Sequence, residues 1–473
     1  MGASLAEHLH NPRGEGALSR APHQGAAGGA ACGDLVKLAV RVEGDRVAEA
    51  GFEASGCAVA RAAASATVEL VEGAPLLEAA LVGPADVAGA LGGLLPAKRH
   101  AAELAADALH RALGSAARDG APELARNPMR TLVAMSGGVD SAAAAQLALD
   151  AGEEVVAVTL ELWADPDTDG EKSCCSPQAV VGARSLAQRM GIPHFTLDLR
   201  ERFRSEVVDD FLSEYAAGRT PNPCVRCNGF VRFDAMLALA AALGAARLAT
   251  GHYARIARDA EGPLLRLAAD PAKDQAYMLA RVKPGELERL SFPLGGLTKP
   301  AVRALARDAG LPVADKRESQ DLCFLSGVGR RRFVRRRIEP REGEVVSRDG
   351  RVLARHDGHE HFTVGQRRGL GVAAAEPLYV IEKDAARNRV VVGRRSELAV
   401  RTVRLRDVLL HRDEAAVDAV KLRYRQSPLA CRMRDPAELT LESGAQAVAP
   451  GQTACLLSGD RVLGAGAIER GAR

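Results

Sequence analysis

The stretch Thr131-Leu-Val-Ala-Met-Ser-Gly-Gly-Val-Asp-Ser141 decides the fold of this chain. Its short apolar run breaks into Ser-Gly-Gly and then opens into an alanine-rich segment that reaches Asp150. This order predicts a strand, a tight loop and a helix. Gly137 and Gly138 lack a Cβ, so the backbone can turn sharply and present N–H groups to an anion at the start of the helix. The stretch therefore predicts a loop that binds phosphate.

Two common nucleotide-binding motifs do not describe this loop. The lysine of G-x-x-x-x-G-K-[ST] does not follow the glycines, and the spacing G-x-G-x-x-G does not occur here. Ser136-Gly-Gly-Val-Asp-Ser141 instead resembles the pyrophosphate loop of ATP pyrophosphatases, and this resemblance implies release of AMP and adenylation of a carbonyl oxygen. The alternative interpretation is a glycine turn between a strand and a helix, without a ligand.

Composition narrows the class of protein. A chain of 473 residues is too long for a single core, and 47% apolar residues are enough for complete folding. The net charge is only +3, so binding to nucleic acid requires a local basic surface. No stretch approaches ~20 consecutive apolar residues, and the first residues lack the apolar segment of a signal peptide. We therefore expect a cytoplasmic protein that makes no contact with a membrane and whose nine cysteines stay reduced.

The first part of the chain is predicted to form a small α+β domain. The pattern indicates these elements: strands at 35–40 and 46–52 joined by a turn at Gly44-Asp45, and helices at 59–71 and 97–118. Two thiols, a carboxylate and an imidazole stand near the starts of these elements, where they can meet: Cys32, Asp34, Cys57 and His100. Clustered groups of this kind in a reduced protein are better interpreted as metal ligands than as disulfides.

The motifs His10-Asn-Pro-Arg13, Cys32-Gly-Asp34 and Gly56-Cys57 resemble, in order and spacing, the U-type iron-sulfur scaffold proteins. The resemblance covers most of residues 8–115 and implies a metal or cluster site made of the four side chains named above. This chain departs from the family at Ala101, where the family has its third cysteine. The remaining ligands bind iron more weakly than three thiolates, and their oxygen and nitrogen donors are chemically harder. A site that no longer binds metal, in a domain that only docks partners, therefore stays open as an alternative.

The next part of the chain is predicted to form a doubly wound parallel sheet. Strands and helices alternate in this order: strands at 131–135, 155–160, 194–197 and 247–250, with helices at 141–150, 177–190 (capped by Ser176) and 229–242. Ligands of such sheets bind outside the carboxyl ends of the strands. The phosphate loop, Leu160 and Thr250-Gly-His-Tyr253 all fall at such ends. We therefore expect several loops to converge on one nucleotide.

A cysteine pair lies within Gly218-Arg-Thr-Pro-Asn-Pro-Cys224-Val-Arg-Cys227-Asn228. The two prolines restrict the backbone around the pair. A further thiol, Cys323, follows a charged loop, and the vicinal pair Cys174-Cys175 is interpreted as incidental. A Cys-x-x-Cys pair can be half of a zinc site, but no second pair with the spacing of a zinc ribbon follows.

The order of the later motifs is similar to that of tRNA-specific 2-thiouridylases, from about residue 130 to the C-terminus. The motifs that carry this resemblance are Ser136–Ser141, Thr220-Pro-Asn-Pro followed by Cys227-Asn228, Thr250–Tyr253, Lys273-Asp-Gln275, Ser319 with Cys323-Phe324, Phe362–Gly371, Leu422–Gln426 and Pro450-Gly-Gln452. The resemblance implies an ATP-dependent transferase with Mg²⁺ that adenylates the C2 oxygen of the wobble uridine (U34) and replaces it with sulfur. The products are then 2-thiouridine, AMP and pyrophosphate.

The same resemblance implies roles for individual residues. For the nucleotide these are Ala134, Met135, Ser136, Gly137, Gly138, Val139, Asp140, Ser141, Leu160 and Gly251, with Asp140 serving the magnesium and phosphate groups. For the tRNA they are Asn222, Pro223, Cys224, His252, Lys273, Asp274, Gln275, Arg423, Tyr424 and Gln452. Cys227 and Cys323 are the catalytic pair. The implied partners are a tRNA with a wobble uridine and a sulfur donor such as a cysteine desulfurase or a sulfur relay protein.

Cys224 leaves two routes open for the sulfur. In the persulfide route that the resemblance implies, Cys323 carries the terminal sulfur and Cys227 releases it, which leaves a disulfide and needs nothing of Cys224. Many members of the family have aspartate at that position. The other route is a [4Fe-4S] cluster held by Cys224, Cys227 and Cys323, with one iron left open. An iron-sulfur carrier or another adenylating ligase with a pyrophosphate loop would each explain only part of the chain.

The fold class we expect is α/β. It comprises a doubly wound parallel sheet of the pyrophosphate-loop, adenine nucleotide alpha hydrolase-like type, an N-terminal α+β scaffold-like domain, a small central β-rich domain and a C-terminal β-barrel. The expected boundaries are 1–125 for the scaffold-like domain, 126–328 for the catalytic domain, 329–398 for the central tRNA-binding domain and 399–473 for the barrel.

Arginines and short strands mark the C-terminal half. Six arginines, Arg330–Arg332 and Arg335–Arg337, flank Phe333-Val334 on a predicted amphipathic helix, which indicates either a contact with RNA phosphates or a solvated surface. Strands are predicted at 345–352 and 389–392, and in the barrel at 402–410, 418–425, 429–433 and 453–457.

Overall fold

The structure is a computed structural model that describes residues 4–17, 21–28, 33–164, 177–317 and 322–472. The α-helices are α1 Leu5–His10, α2 Ala58–Val71, α3 Leu76–Ala79, α4 Pro84–Ala90, α5 Arg99–Arg118, α6 Val139–Asp150, α7 Pro177–Arg189, α8 Arg200–Phe203, α9 Asp209–Ala216, α10 Pro223–Cys227, α11 Phe233–Ala242, α12 Pro284–Leu287, α13 Lys299–Asp308 and α14 Arg330–Arg335. The predicted ligand Cys32, the cap Ser176, the pair Cys174-Cys175 and Ser319 lie outside the described residues.

The strands belong to four sheets. They are β1 His23–Gly28, β2 Leu35–Glu43, β3 Arg46–Ser55, β4 Asn127–Ala134, β5 Glu154–Glu161, β6 His194–Asp198, β7 Ala245–Thr250, β8 Arg255–Asp259, β9 Gly262–Arg266, β10 Leu290–Ser291, β11 Gly343–Ser347, β12 Val352–His356, β13 Tyr379–Asp384, β14 Arg389–Gly393, β15 Ala399–Leu410, β16 Ala419–Lys421, β17 Leu429–Asp435, β18 Glu438–Gln446, β19 Thr453–Ser458 and β20 Arg461–Ala472.

The predicted doubly wound sheet is confirmed. Its strands run in the order β10-β7-β4-β5-β6, and every neighbouring pair is parallel. Buried apolar side chains cover the sheet on both faces, with α6 and α7 in one cluster and α11 in the other. This arrangement brings the carboxyl ends of β4, β5 and β7 to one edge, where the phosphate loop begins.

The α+β character of the N-terminal domain is also confirmed. The antiparallel sheet β1-β2-β3 carries α2 and α5. The predicted hairpin turn at Gly44-Asp45 is present, whereas β1 was not anticipated, because its sequence His23-Gln-Gly-Ala-Ala-Gly has little apolar bulk and takes its place through pairing with β2.

Helix α5 covers the outer edge of β6, which is an edge strand of the parallel sheet. A strand in that position leaves one row of backbone groups without a neighbouring strand. The two elements approach so closely at Gly114 that a Cβ there would lie 1.7 Å from the backbone oxygen of Thr196. Apolar residues of the N-terminal domain and of the α/β domain accordingly form one continuous core. The N-terminal domain is thus packed as a part of the α/β domain.

The central sheet corrects one prediction. Its strand order is β12-β11-β14-β13, and the single strand expected at 345–352 is wrong, because β11 ends at Ser347 and β12 begins at Val352. The Ser347 hydroxyl donates to the Asp349 carboxylate at 2.5 Å, and the Ser347 N–H donates to the Arg351 oxygen at 2.9 Å. The Asp-Gly dipeptide forms a hairpin turn here.

The predicted C-terminal β-barrel is confirmed. The strands run β15-β18-β17-β16-β19-β20, and pairing of β15 with β20 closes the circle. The strand expected at 418–425 is shorter, since β16 ends at Lys421. Hairpin β8-β9 of the α/β domain extends this sheet by pairing Arg266 with Arg461 on β20. The described part of the chain contains no helix long and apolar enough to cross a membrane.

We expect Gly114→Ala to weaken the packing of α5 on β6, because the added methyl group meets the Thr196 backbone. The expected loss is about 1–3 kcal/mol of unfolding free energy, measured by thermal and urea denaturation. Gly89→Ala in α4 is the matched control, since a Cβ at Gly89 meets nothing within 4 Å. The control should be neutral or gain about 0.5–1 kcal/mol. Equal stability of the two variants would contradict the close approach.

Candidate functional site

A cavity of about 280 Å³ lies at the carboxyl ends of β4, β5 and β7. Its walls are Ala134, Met135, Ser136, Asp140, Ser141, Val158, Thr159, Leu160, Arg232, Met236, Thr250, Gly251, His252 and Gln275. Seven of the residues predicted for the nucleotide are among them. The other three, Gly137, Gly138 and Val139, belong to the loop and the start of α6 and are not part of this wall. His252 and Gln275, which were predicted for the tRNA, share this cavity, so the two predicted sites adjoin.

The phosphate loop is shaped by its own side chains. Gly137 has a φ of 68°, a backbone conformation that side chains with a Cβ rarely adopt. The Ser141 hydroxyl donates to the Gly138 oxygen at 3.1 Å and accepts from the Ser136 N–H at 3.1 Å. Helix α6 begins at Val139, so its first N–H groups and the positive end of its dipole are available to an anion.

Two lysines from distant parts of the chain reach this loop. Lys299 Nζ donates to both carboxylate oxygens of Asp140, at 2.6 and 2.7 Å, and Lys316 Nζ donates to the Gly137 oxygen at 2.8 Å. The Tyr253 hydroxyl also donates to Asp140, at 2.8 Å. The loop thus gains the positive charge that its own sequence lacks. Sequence reasoning missed both lysines; the only local signal was that Lys299 stands at the start of a helix, and Lys316 follows a turn with no signal of its own.

His252 and Gln275 hold the loop that follows β7. His252 Nδ1 lies 2.8 Å from the Thr250 hydroxyl, and burial lowers the pKa of His252 to about 3. The ring is therefore neutral at pH 7 and can contact a base without contributing charge. Gln275 accepts from the Tyr253 N–H through its side chain at 2.9 Å and donates to the Tyr253 oxygen through its backbone at 2.8 Å.

Asp274 is enclosed by protein. Its side chain accepts from the Ala268 N–H at 3.0 Å and pairs with Lys421 of the barrel at 3.0 Å. Only 6% of Asp274 is exposed. Neighbouring Lys273 donates its N–H to the Asp270 oxygen at 3.1 Å. The structure gives Asp274 a role in joining two domains, and its contact with tRNA stays a prediction.

The cysteine loop is fixed from both sides. Asn222 caps the N-terminus of α10, and its side-chain oxygen accepts from the N–H groups of Cys224 and Val225 at 3.1 and 3.3 Å, with Pro223 at the first helical position. From the barrel, Gln452 Nε2 donates to the Thr220 oxygen at 2.8 Å. Asn222 and Gln452, both predicted to bind tRNA, therefore position the loop that carries the cysteines.

The three thiols differ in exposure. Cys227 ends α10 and is 6% exposed, whereas Cys224 and Cys323 are partly exposed. Cys224 and Cys227 are three residues apart in one helical turn, which places them on the same face. A π-helical turn, Asn228–Arg232, follows Cys227, and such turns are frequent at functional sites.

Cys323 is next in sequence to Phe324, which belongs to an aromatic cluster. The same cluster anchors α14 (Arg330–Arg335), called the arginine helix below. Phe324 contacts the rings of Phe211 at 5.1 Å and of Phe333 at 5.2 Å, and Phe333 lies in α14 with no exposed surface. The helix ends at Arg335, so Arg336 and Arg337 lie beyond it, contrary to the predicted single helix.

The remaining predicted tRNA contacts lie on the barrel. Arg423 donates to the Ala447 oxygen, and the ring of Tyr424 lies 6.2 Å from that of Tyr277.

A second group of chemically active side chains lies in the N-terminal domain. Ligand atoms of Asp34, Cys57 and His100 all lie within 4.8 Å of one another, the only such group of three in the described ranges. Asp34 accepts from the Cys57 N–H at 2.7 Å, which lowers its pKa, and its other oxygen lies 2.9 Å from His100 Nε2. Ala101 is fully buried in α5 and offers no ligand. Three of the four predicted ligands thus meet.

Profiles of four known families match successive parts of the chain. The profile described as NifU-like N terminal domain matches residues 3–118, and the tRNA methyl transferase HUP domain matches 129–327. The tRNA methyl transferase PRC-barrel domain matches 331–394, and the Aminomethyltransferase beta-barrel domain matches 399–468. These matches agree with the four sheets of the fold.

Curated relatives cover the chain at similar identity. The bifunctional protein NifU/MnmA of Rubrobacter xylanophilus is 46% identical over 99% of this chain and 98% of its own length. The tRNA-specific 2-thiouridylase MnmA of Acidithiobacillus ferrooxidans is 46% identical over 72% of this chain and 98% of its own length. The same enzyme of Geotalea uraniireducens is 43% identical over 72% and 95%.

We expect Asn222→Ala to loosen the cysteine loop, because the amides of Cys224 and Val225 lose their acceptor. A lost cap costs about 1 kcal/mol, so amide hydrogen exchange at these two residues should accelerate about five-fold. Asn222→Asp keeps the acceptor and serves as the matched control. Unchanged protection in the alanine variant would show that the barrel contacts alone hold the loop.

Proposed function

This chain belongs to the family of bifunctional proteins that join a NifU-like domain to a tRNA-specific 2-thiouridylase, and on that premise we propose how it thiolates tRNA. It is a tRNA-uridine 2-sulfurtransferase. The substrate is a tRNA, and the pyrophosphate-loop family implies ATP and Mg²⁺ as further requirements. We propose the wobble uridine as the target base.

We propose that the uridine is activated in the cavity beside the phosphate loop. An oxygen on a pyrimidine ring is a poor leaving group, so the C2 oxygen attacks the α-phosphorus of ATP and pyrophosphate departs. Sulfur then attacks C2, and AMP leaves with the oxygen. The observation that carries this proposal is that Asp140, which pairs with Lys299, and the start of α6 lie at the wall of one cavity. These groups suit the magnesium and phosphate charges of ATP.

We propose that different parts of the cavity wall bind different parts of ATP. Ser136 and Ser141 would contact the phosphates, and Leu160 and Gly251 would contact the adenosine; all four residues line the cavity, which supports this assignment. Asp140 would hold Mg²⁺, which supplies charge neutralisation to the departing pyrophosphate. We also propose that neutral His252, which lines the same cavity, contacts the extruded base.

We propose that the arginine helix binds tRNA phosphates. Phe333 and Val334 anchor it, while Arg332 and Arg335 point to the exposed side. Arg330 is engaged with the central domain, since it donates to Thr363 at 3.2 Å and to the His361 oxygen at 3.2 Å. These bonds lie within the central domain, and the contact of Phe333 with Phe211 and Phe324 joins the helix to the catalytic domain.

For sulfur transfer we propose that Cys224, Cys227 and Cys323 hold a [4Fe-4S] cluster. Cys224 and Cys227 share one face of α10, which suits two ligands of one group, and three thiolates are a sufficient protein set. When bound, the cluster would supply an open iron for inorganic sulfide. The competing persulfide route uses Cys227 and Cys323 alone.

A second proposed function concerns the N-terminal domain, which we propose to take part in sulfur or cluster supply. Asp34, Cys57 and His100 support this by meeting at one site. The site lies near the start of α5, and His110 of the same helix touches β6, about 15 Å further along the axis. Because α5 is packed against β6, this site is held in place on the α/β domain; we propose a separate donor protein as the source of the sulfur.

We expect Asp140→Ala to lower the release of AMP during thiolation about 100-fold or more, since a charge that serves the reacting phosphates is lost. Binding of tRNA should stay within about twofold, because the basic surfaces lie elsewhere. Asp150→Ala, at the exposed end of the same helix, is the control. Normal AMP release by Asp140→Ala would remove the assignment of the loop.

Anaerobic reconstitution with iron and sulfide tests the cluster. Wild type should gain visible absorption and thiolate tRNA, whereas Cys224→Ala should lose both. Cys431→Ala removes a buried thiol of the barrel and should keep both. If the iron-free wild type is fully active with a persulfide donor, the cluster proposal is wrong and the persulfide route stands.

A further inference from the structure

A series of buried hydrogen bonds connects the N-terminal domain with the phosphate loop. It starts at His110 on α5, whose Nδ1–H donates to the backbone oxygen of His194 at 2.8 Å. The backbone N–H of His194 donates to the Ala80 oxygen at 3.1 Å. Both backbone groups of His194, the first residue of β6, are therefore held by the N-terminal domain.

The side chain of His194 extends this series of hydrogen bonds into the α/β domain. The Thr159 hydroxyl donates to the Met135 oxygen at 2.8 Å, and His194 Nε2 lies 2.8 Å from the same hydroxyl. A threonine has one hydroxyl proton, and Met135 receives it, so His194 must donate from Nε2. Its Nδ1 is then the nitrogen without a proton, in agreement with its burial away from any hydrogen-bond partner in the described part of the chain.

Water does not compete with these bonds. His110 and His194 are fully buried, and Thr159 is 1% exposed. Burial lowers the pKa of His110 to about 4 and that of His194 well below its usual value, so both rings are neutral at pH 7. Each nitrogen of the His110 ring faces a backbone oxygen, Nδ1 that of His194 at 2.8 Å and Nε2 that of Val82 at 3.0 Å, and a neutral ring has one proton for the two. The proton on Nδ1 makes the shorter bond, and Nε2 can then accept from Gln188 Nε2 at 3.4 Å.

Charged pairs beside the chain keep the two domains docked. Arg184 of α7 is 2% exposed and donates to the Asp107 carboxylate on α5 at 2.5 Å. Arg111 of α5 donates to Glu161, which is 1% exposed. Although burial would raise it, the pKa of Asp107 is lowered by Arg184 and Arg111. Breaking such buried pairs would leave a charge without a partner, so separation of the two domains is costly.

This series of hydrogen bonds ends at the wall of the proposed nucleotide cavity. Met135 and Thr159 both line the cavity, and Ser136, the first residue of the phosphate loop, follows Met135 directly. We infer that His110 is a positioning residue for the phosphate loop, acting through His194 and Thr159 on the Met135 carbonyl. The N-terminal domain then contributes to nucleotide binding, in addition to any role in sulfur supply. This inference rests on the proposed function of the cavity as the ATP site.

The test uses the full-length chain with three variants. His110→Ala removes the donor to His194, and His110→Asn restores a donor near the position of Nδ1. His8→Ala is the matched control, because His8 is also buried in the N-terminal domain but bonds Ser65 within it, at 2.9 Å. The Michaelis constants for ATP and for tRNA are measured separately, with thermal denaturation alongside.

We expect His110→Ala to raise the KM for ATP about three- to ten-fold, the factor that corresponds to one ordinary hydrogen bond, with the KM for tRNA unchanged within about twofold. His110→Asn should return most of the affinity, and His8→Ala should keep the wild-type KM for ATP. An unchanged KM for ATP in His110→Ala overturns the inference. An equal rise in His8→Ala overturns it too, because the effect is then general loosening. A wild-type chain that neither binds nor consumes ATP refutes the proposed function instead.

Discussion

The ion pair between Asp140 and Lys299 holds together the loop and the helices around the cavity. Its closest atoms lie 2.6 Å apart, and the lysine side chain is only 9% exposed. The buried lysine depends on the carboxylate, because loss of Asp140 would leave its charge uncompensated. Lys299 begins α13, Asp140 lies in the first turn of α6, and Tyr253, which also bonds Asp140, follows β7. One carboxylate thereby joins three separate segments into a single site.

The thiol site depends on the barrel in a comparable way. The Thr220 N–H donates to the Pro450 oxygen at 2.7 Å, and the side chain of Gln452 reaches the Thr220 oxygen. Lys421 neutralises Asp274, and the Tyr277 hydroxyl donates to the Thr453 oxygen at 2.9 Å. The barrel is therefore a structural part of the catalytic region. Gln452 and Asp274, which the resemblance assigns to tRNA contact, form bonds within the protein that hold its domains together. Only the exposed atoms of such a side chain are left to contact tRNA.

Sequence patterns predicted the features of the fold that depend on neighbouring residues. The phosphate loop, the parallel sheet and the barrel follow from glycine turns and apolar periodicity, which a short window of sequence contains. Lys299 and Lys316 stand 159 and 179 positions from their partners, so no window contains both members of either pair. The same holds for His110 and His194, which look like ordinary histidines until tertiary packing places them together. The strand expected at 345–352 failed for a different reason, since the turn chemistry of Asp349-Gly350 outweighed the apolar run.

The continuous core has a consequence for whether the domains can be separated. Apolar side chains from Val36 of the N-terminal sheet, through Leu248 of the parallel sheet, to Cys455 of the barrel belong to one cluster. The buried charges of Arg184 and Glu161 have their partners on α5, and the same helix covers the edge of β6. Removal of the upstream domain would therefore uncover apolar surface and two charges at once. The α/β domain of this chain thus needs the N-terminal domain as part of its own interior, and a cut between the two would have to be repaired by new polar residues on both sides.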